Sequence, residues 1–259
     1  MSHQQEAASL ANALQAHLER DRRRGRRRVP VPVLEAQRPL VAAPTSTAPL
    51  ISPTAKPPAT PSAAPNSPAA LAASARTLEE LRTAVSTCQA CSLCETRKQT
   101  VFADGDGSAR VLFIGEAPGA EEDARGIPFV GRAGALLSDI ITKGMQMRRE
   151  DVYIANVLKC RPPENRDPSQ QEKALCTAWL DRQIELVNPA VIITLGKHAS
   201  QHVLGCEDSM GSMRGKIHER GGRPIVPTYH PAFLLRSPNM KKDCWQDIQR
   251  ALERLAESA

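Results

Sequence analysis

Four short runs rich in β-branched or aliphatic residues, at 111–114, 152–158, 190–195 and 224–228, alternate with helix signals. This alternation constrains the fold more than any other feature. Thr77-Leu78-Glu79-Glu80 reads as a capping box that opens a helix to about Ser86, and Ser169-Gln170-Gln171-Glu172 as a second, opening a helix to about Val187. Further helices are expected over 133–143, closed by Gly144, just behind Gly196, and over 242–255. The pattern implies an α/β three-layer sandwich: a central, mostly parallel four-stranded sheet with helices on both faces. Proline within the fourth run predicts an edge or terminal place for it, because proline removes a ladder donor.

Open α/β sheets bind ligands beyond the carboxyl ends of their strands. The most distinctive residues of the chain stand at those ends. Gly115-Glu116-Ala117-Pro118-Gly119 follows the first run, and Asn156-Val157-Leu158-Lys159-Cys160-Arg161-Pro162-Pro163 ends the second. His230-Pro231-Ala232-Phe233-Leu234-Leu235-Arg236 follows the fourth. None of the three says much alone, but together they mark one end of the sheet as the functional end.

The N-terminal third has a different character. Eleven of the 21 prolines fall between Pro30 and Pro68. With Ala, Ser and Thr around them and no apolar period, residues 29–76 read as a disordered linker. Residues 1–28 read as a basic amphipathic arm. The first 78 residues hold ten Lys/Arg against four Asp/Glu, so they account for the whole net charge of +6 and leave the remainder near neutral. The run Arg22-Arg23-Arg24-Gly25-Arg26-Arg27-Arg28 suits a salt-sensitive phosphate tether, and equally a solubilising tail. No stretch reaches the roughly 18 apolar residues of a membrane span, and no export signal is expected.

Seven cysteines in a reducing cytosol point to metal before disulfide. Cys88-x-x-Cys91-x-x-Cys94 precedes the sheet, Cys160 lies at the end of the second run, and Cys176 lies in the helix after it. Such a set suits zinc or an iron–sulfur cluster, and the spacing does not choose between them. Buried thiols without a ligand are the remaining reading. Cys206 and Cys244 look like packing residues.

Taken in this order, the three loop motifs resemble the uracil-DNA glycosylase superfamily, most closely its iron–sulfur branch, family 4. The resemblance covers about residues 80–256. It implies a glycosylase-like domain over 77–259 that flips uracil out of DNA, hydrolyses the glycosidic bond and leaves an abasic site. It implies a [4Fe–4S] cluster on Cys88, Cys91, Cys160 and Cys176, with Cys94 a spare or alternative ligand. Asn156 would read uracil N3–H and O4, Phe129 would stack on the base, and His230 would donate to O2 as charge builds there. Glu116 would be the carboxylate of the catalytic loop, with Glu122 and Asp123 in reserve, because Ala117 occupies the position of the aspartate that orients water in the best-known branch. Backbone N–H groups from Ala117 to Gly119 would add to the base site. Leu234 and Leu235 would form a wedge in the duplex (or the first turn of a buried helix), and Lys159, Arg161, Arg166 and Arg236 would meet phosphates. The partners implied are uracil-containing DNA and, through the arm, a replication or repair protein. A monomer in the bacterial cytoplasm, associated with the nucleoid, is expected. The rival readings are a relative that traps uracil-DNA covalently and a non-catalytic DNA-binding module that senses redox state through the cluster. The trapping relative carries Lys-Arg-Arg-Ile-His after the Asn motif, and no histidine stands there in this chain.

Overall fold

A computed structural model of the protein describes residues 67–258. The arm at 1–28 and the linker up to residue 66 lie outside the described residues. The end of that linker departs from expectation. Pro68–Ser74 forms a helix, α1, with the Ser67 hydroxyl accepting from the Ala70 N–H. Ala72 and Ala75 are buried in the core, so residues that resembled linker composition supply a packing face.

The order continues with α2 (Leu78–Ser86), α3 (Leu93–Thr96), β1 (Asp104–Gly105), β2 (Val111–Gly115), α4 (Ala120–Arg125) and α5 (Arg132–Asp139), extended by a π-helical turn at Ile140–Gly144. Then come β3 (Tyr153–Asn156), α6 (Gln170–Val187), β4 (Val191–Leu195), α7 (Lys197–Leu204), α8 (Met210–Met213), β5 (His218–Arg220), β6 (Arg223–Thr228), α9 (Pro231–Arg236) and α10 (Lys241–Glu257). Both expected capping boxes form: Thr77 accepts from Glu80 N–H, and Ser169 and Glu172 bond reciprocally.

The sheet has six strands rather than four, in the order β1-β3-β2-β4-β6-β5. The four expected strands are its parallel centre, and β1 and β5 add antiparallel edges. Those edges are two and three residues long, too short for any period to register in sequence. They also move the proline-bearing β6 off the edge. β5 pairs only with Arg223, Pro224 and Ile225, and leaves the outer side of β6 uncovered from Val226 onward, where Pro227 stands.

Side chains alternate between two cores. Leu112, Ile114, Ala155, Ile192 and Ile225 face α1, α2, α6 and α7, while Val111, Phe113, Ile154, Ile193 and Val226 face α5, α9 and α10. Burial on both faces is why these strands read as continuous apolar runs. From β2 the chain steps to β3 on one side, then crosses back through α6 to β4 on the other. The reversal opens a crevice at the carboxyl end of β2. No helix among the described residues is long and apolar enough to cross a membrane.

Candidate active site and cysteine centre

Gly115 ends β2 opposite Asn156 at the end of β3. A Cβ on Gly115 would lie 2.3 Å from Asn156 Oδ1 and 2.6 Å from Phe129 Cζ, so the amide and the aromatic ring meet over a bare backbone. Gly115→Ala is expected to displace both groups, lower activity at least tenfold and cost about 1–3 kcal/mol of stability, measured by paired kinetics and calorimetry.

Phe129 is held there by its loop. Its φ of 54° is left-handed, a costly choice for a bulky residue. The Glu122 carboxylate clamps the loop by accepting from Val130 and Gly131 N–H at 3.0 and 3.1 Å and from Gly119 N–H at 3.1 Å. Gly134 in α5 leaves room for the Phe129 carbonyl, which would lie 1.8 Å from a Cβ there. Glu122 is therefore a scaffold carboxylate rather than a reserve catalyst. Asp123, 2% exposed and accepting from Lys98 N–H, is scaffold too. The Gly119 N–H is already engaged, which removes it from the expected base site. Ala117 packs beside Leu93, Leu158 and Cys160, toward the cysteines.

His230 arrives from the end of β6 as the N-cap of α9. The ring centroids of Phe129 and His230 are 5.6 Å apart, so the imidazole shares the site with the amide. Its Nδ1 accepts from Ala232 N–H at 3.1 Å, which leaves the proton on Nε2, directed outward as a donor. The residue is half-buried, and burial pushes its pKa down to about 4, helped by the Arg236 charge and opposed by Glu122. The residue is thus a neutral donor near pH 7. Thr228, two residues earlier, donates to the buried Asp247 of α10 at 3.0 Å, and Asp247 also binds Arg214, whose guanidinium lies over Tyr229. This network fixes the strand end that delivers His230.

Asn156 is 2% exposed, and its Oδ1 is buried without a hydrogen-bond partner. A buried acceptor left unpaired costs about 1–3 kcal/mol, so it is a position that a donor from outside would satisfy. Glu116 is half-buried nearby. Burial raises its carboxyl above the ordinary range, Asp167 pushes the same way, and His198 and Lys173 oppose. Glu116, Asp167 and His198 bring ligand atoms within 4.8 Å of one another. Neither Asp167, in the loop before α6, nor His198, in the first turn of α7, carries a local signal that it would reach Glu116.

The expected phosphate contacts divide. Arg236 is exposed beside His230, and Arg161 is partly exposed, bonded to Asn165. Arg166 pairs with Glu172 and holds its carboxylate down to about 2. Lys159 is a correction: at 1% exposure it lies in the interior and cannot meet a phosphate. Its Nζ donates to the Asn156 carbonyl at 2.6 Å and to Gln183 Oε1. Leu234 is a correction too. At 1% exposure it belongs to the core under α9, and only Leu235, at 37%, can project as a wedge.

A cavity is lined by Cys88, Cys91, Cys94, Cys160 and Cys176, with Arg97 and Lys159. Among the described residues no three of these sulfurs lie within 4.8 Å of one another. A set of thiols on one cavity wall suits zinc or an iron–sulfur centre. Burial pushes the Cys176 thiol up to about 12 and raises Cys160, so these groups ionise only with a cationic partner. Arg97 donates to Cys160 Sγ at 3.2 Å and the Lys159 N–H to Cys176 Sγ at 3.4 Å, contacts of the kind that tune a thiolate-held centre. Cys206 and Cys244 lie elsewhere, against Met213 and Thr228.

A doubly wound sheet with an amide, an aromatic ring and an imidazole at its switch point, flanked by a thiol-lined cavity, defines an α/β protein with one composite site. The family model of the uracil DNA glycosylase superfamily matches residues 102–249. A type-4 uracil-DNA glycosylase of Thermotoga maritima is 45% identical over 183 residues, 68% of this chain and 95% of that protein. One of Saccharolobus solfataricus is 43% identical over 177 residues, 65% and 82% of the two chains. A type-5 uracil-DNA glycosylase of Pyrobaculum aerophilum is 32% identical over 146 residues, 50% and 64%. The chain belongs to the uracil DNA glycosylase superfamily, in its type-4 branch.

Proposed function

We infer that the protein is a monofunctional uracil-DNA glycosylase that extrudes uracil from DNA, hydrolyses its N-glycosidic bond, and leaves an abasic site. The observation that supports this most is the orphaned Asn156 Oδ1 beside Phe129 and within reach of the His230 site. That acceptor suits uracil N3–H, and the amide nitrogen of the same side chain suits O4. Cytosine presents the opposite pattern at both atoms. The base must leave the stack first, and Leu235 is the residue available to fill the gap.

Once flipped, uracil stacks on Phe129, and His230 Nε2–H donates to O2. As the bond from N1 to C1′ breaks, its electron pair passes to the base, and this fixed donor meets the charge where it develops. Water adds to the cation-like sugar, with Glu116 the carboxylate that orients it. Arg236 and Arg161 support the DNA backbone. Cys88, Cys91, Cys160 and Cys176 would hold a [4Fe–4S] cluster, with Cys94 on the same cavity wall. The cluster would tie the segment before the sheet to the Asn156 loop and to α6. The protein would act as a monomer in the bacterial cytoplasm, with its N-terminal arm as a tether to DNA or to a repair partner.

Purified protein is expected to release free uracil, turnover after turnover, from an oligonucleotide with one deoxyuridine. A stoichiometric covalent adduct, or binding with no release, would refute the reading. Because the Glu116 pKa is raised, activity should fall with acidification at a pH above the ordinary glutamate value of 4.5. Glu116→Gln should remove that acid limb and lower the plateau.

A further inference from the structure

Lys159 is a buried cation with no carboxylate partner among the described residues. Its ammonium donates to the Asn156 carbonyl and to Gln183 Oε1. Gln183, fully buried, is itself fixed by donating to the Phe102 carbonyl at 3.2 Å and to Tyr153 Oη at 3.1 Å. An uncompensated interior charge is expensive, and the groups that favour it electrostatically are Cys176 and Cys160, thiolates once a metal centre is held. Lys159 lines the cysteine cavity, its own N–H donates to Cys176 Sγ, and Cys160 is its chain neighbour. The other face of this segment is the base site. Val157 and Leu158 N–H donate to the Gly115 and Glu116 carbonyls at 2.9 and 3.0 Å, so the strand that presents Asn156 is zipped to the loop that presents Glu116.

We propose that Lys159 is a positioning residue that couples the thiolate-held centre to base reading: the charge of the centre keeps the ammonium in the interior, and the ammonium holds the Asn156 main chain in register with Gly115 and Glu116. The proposal rests on the glycosylase reading for the role of Asn156 and on the cysteine assignment for the counter-charge. It makes the integrity of the centre a condition for uracil recognition although the centre takes no part in bond cleavage.

The test compares the full chain, its Lys159→Met variant and its Gln183→Glu variant, each with iron bound. Lys159→Met keeps the volume and removes the charge. It should retain stoichiometric iron, shift the reduction potential of the centre to more negative values, and lower kcat for uracil release at least tenfold with a smaller change in KM. Amide exchange at Val157 and Leu158 should accelerate at least tenfold, while that of β4 is unchanged. In the unsubstituted protein, chelation of iron should produce the same selective acceleration. Gln183→Glu gives the ammonium a carboxylate of its own, so exchange at Val157 and Leu158 should become insensitive to chelation, a result that does not require Lys159→Met to fold. Unaltered exchange and kcat in Lys159→Met, or equal sensitivity to chelation with and without Gln183→Glu, would overturn the coupling. Absence of uracil release from the unsubstituted protein would overturn the functional reading instead, since the exchange measurements do not depend on it.

Discussion

His230→Asn is expected to lower kcat for uracil release by about 10²–10³ and to leave the fold intact. The two effects separate because His230 has two jobs at two atoms. Its Nδ1 caps α9 through the Ala232 N–H, and asparagine, a favoured N-cap, can take over that bond. Asparagine offers nothing at the Nε2 position, so the donor to O2 is lost. His230→Ala loses both, and should add a destabilisation of about 0.5–2 kcal/mol to the same catalytic defect. The pH dependence of stability gives a second reading. The folded imidazole has its pKa pushed down to about 4, against about 6.5 in the unfolded chain. As pH falls from about 6.5 toward 4 the unfolded state takes up a proton that the folded state refuses, so stability declines over that window. Denaturant titrations should find that slope reduced in His230→Asn. Asn156→Ala should match the catalytic loss, because it deletes the amide that discriminates, while the iron content stays unchanged.

Replacing Cys160 should act on the scaffold first. Cys160→Ala is expected to lose iron and with it the link between the segment before the sheet and the Asn156 loop. Free energy of metal binding is folding free energy, so loss of the centre should lower the melting temperature. Iron analysis, visible absorbance and calorimetry would measure this together. Cys206→Ala and Cys244→Ala should retain full iron, as both lie away from the cavity. Cys94→Ala should retain it too. Iron lost in Cys94→Ala but kept in Cys91→Ala would exchange the roles of those two ligands.

Much of the site could be read from the chain because its residues sit where local signals converge. Asn156 ends an apolar run, His230 precedes a proline that opens a helix, and Glu116 follows a strand that terminates in glycine. Each is a strand end, and strand ends in an alternating α/β pattern share one side of the sheet. Lys159 reads as a surface residue for a physical reason. A lysine in a polar loop is nearly always solvated, and its only local warning was its place in the otherwise apolar run Val157-Leu158-Lys159-Cys160. Its partner Gln183 lies 24 positions away, on another element. Glu122 reads as a free acid for a similar reason: the acidic run Glu121-Glu122-Asp123, on α4, gives no hint that one of its carboxylates turns to three backbone donors.

The amino-acid order alone determined the four parallel strands, the helices α2, α5, α6, α7 and α10 with two capping boxes, and the end of the sheet where chemistry gathers, because period, capping and loop residues are properties of neighbours in the chain. The tertiary structure alone decided that Lys159 is interior, that Leu234 is core while Leu235 is rim, that Phe129 bends back over Gly115, and that two short strands close the sheet edges. Those outcomes depend on which distant surfaces meet, and a side chain's burial is set by what packs over it rather than by what precedes it.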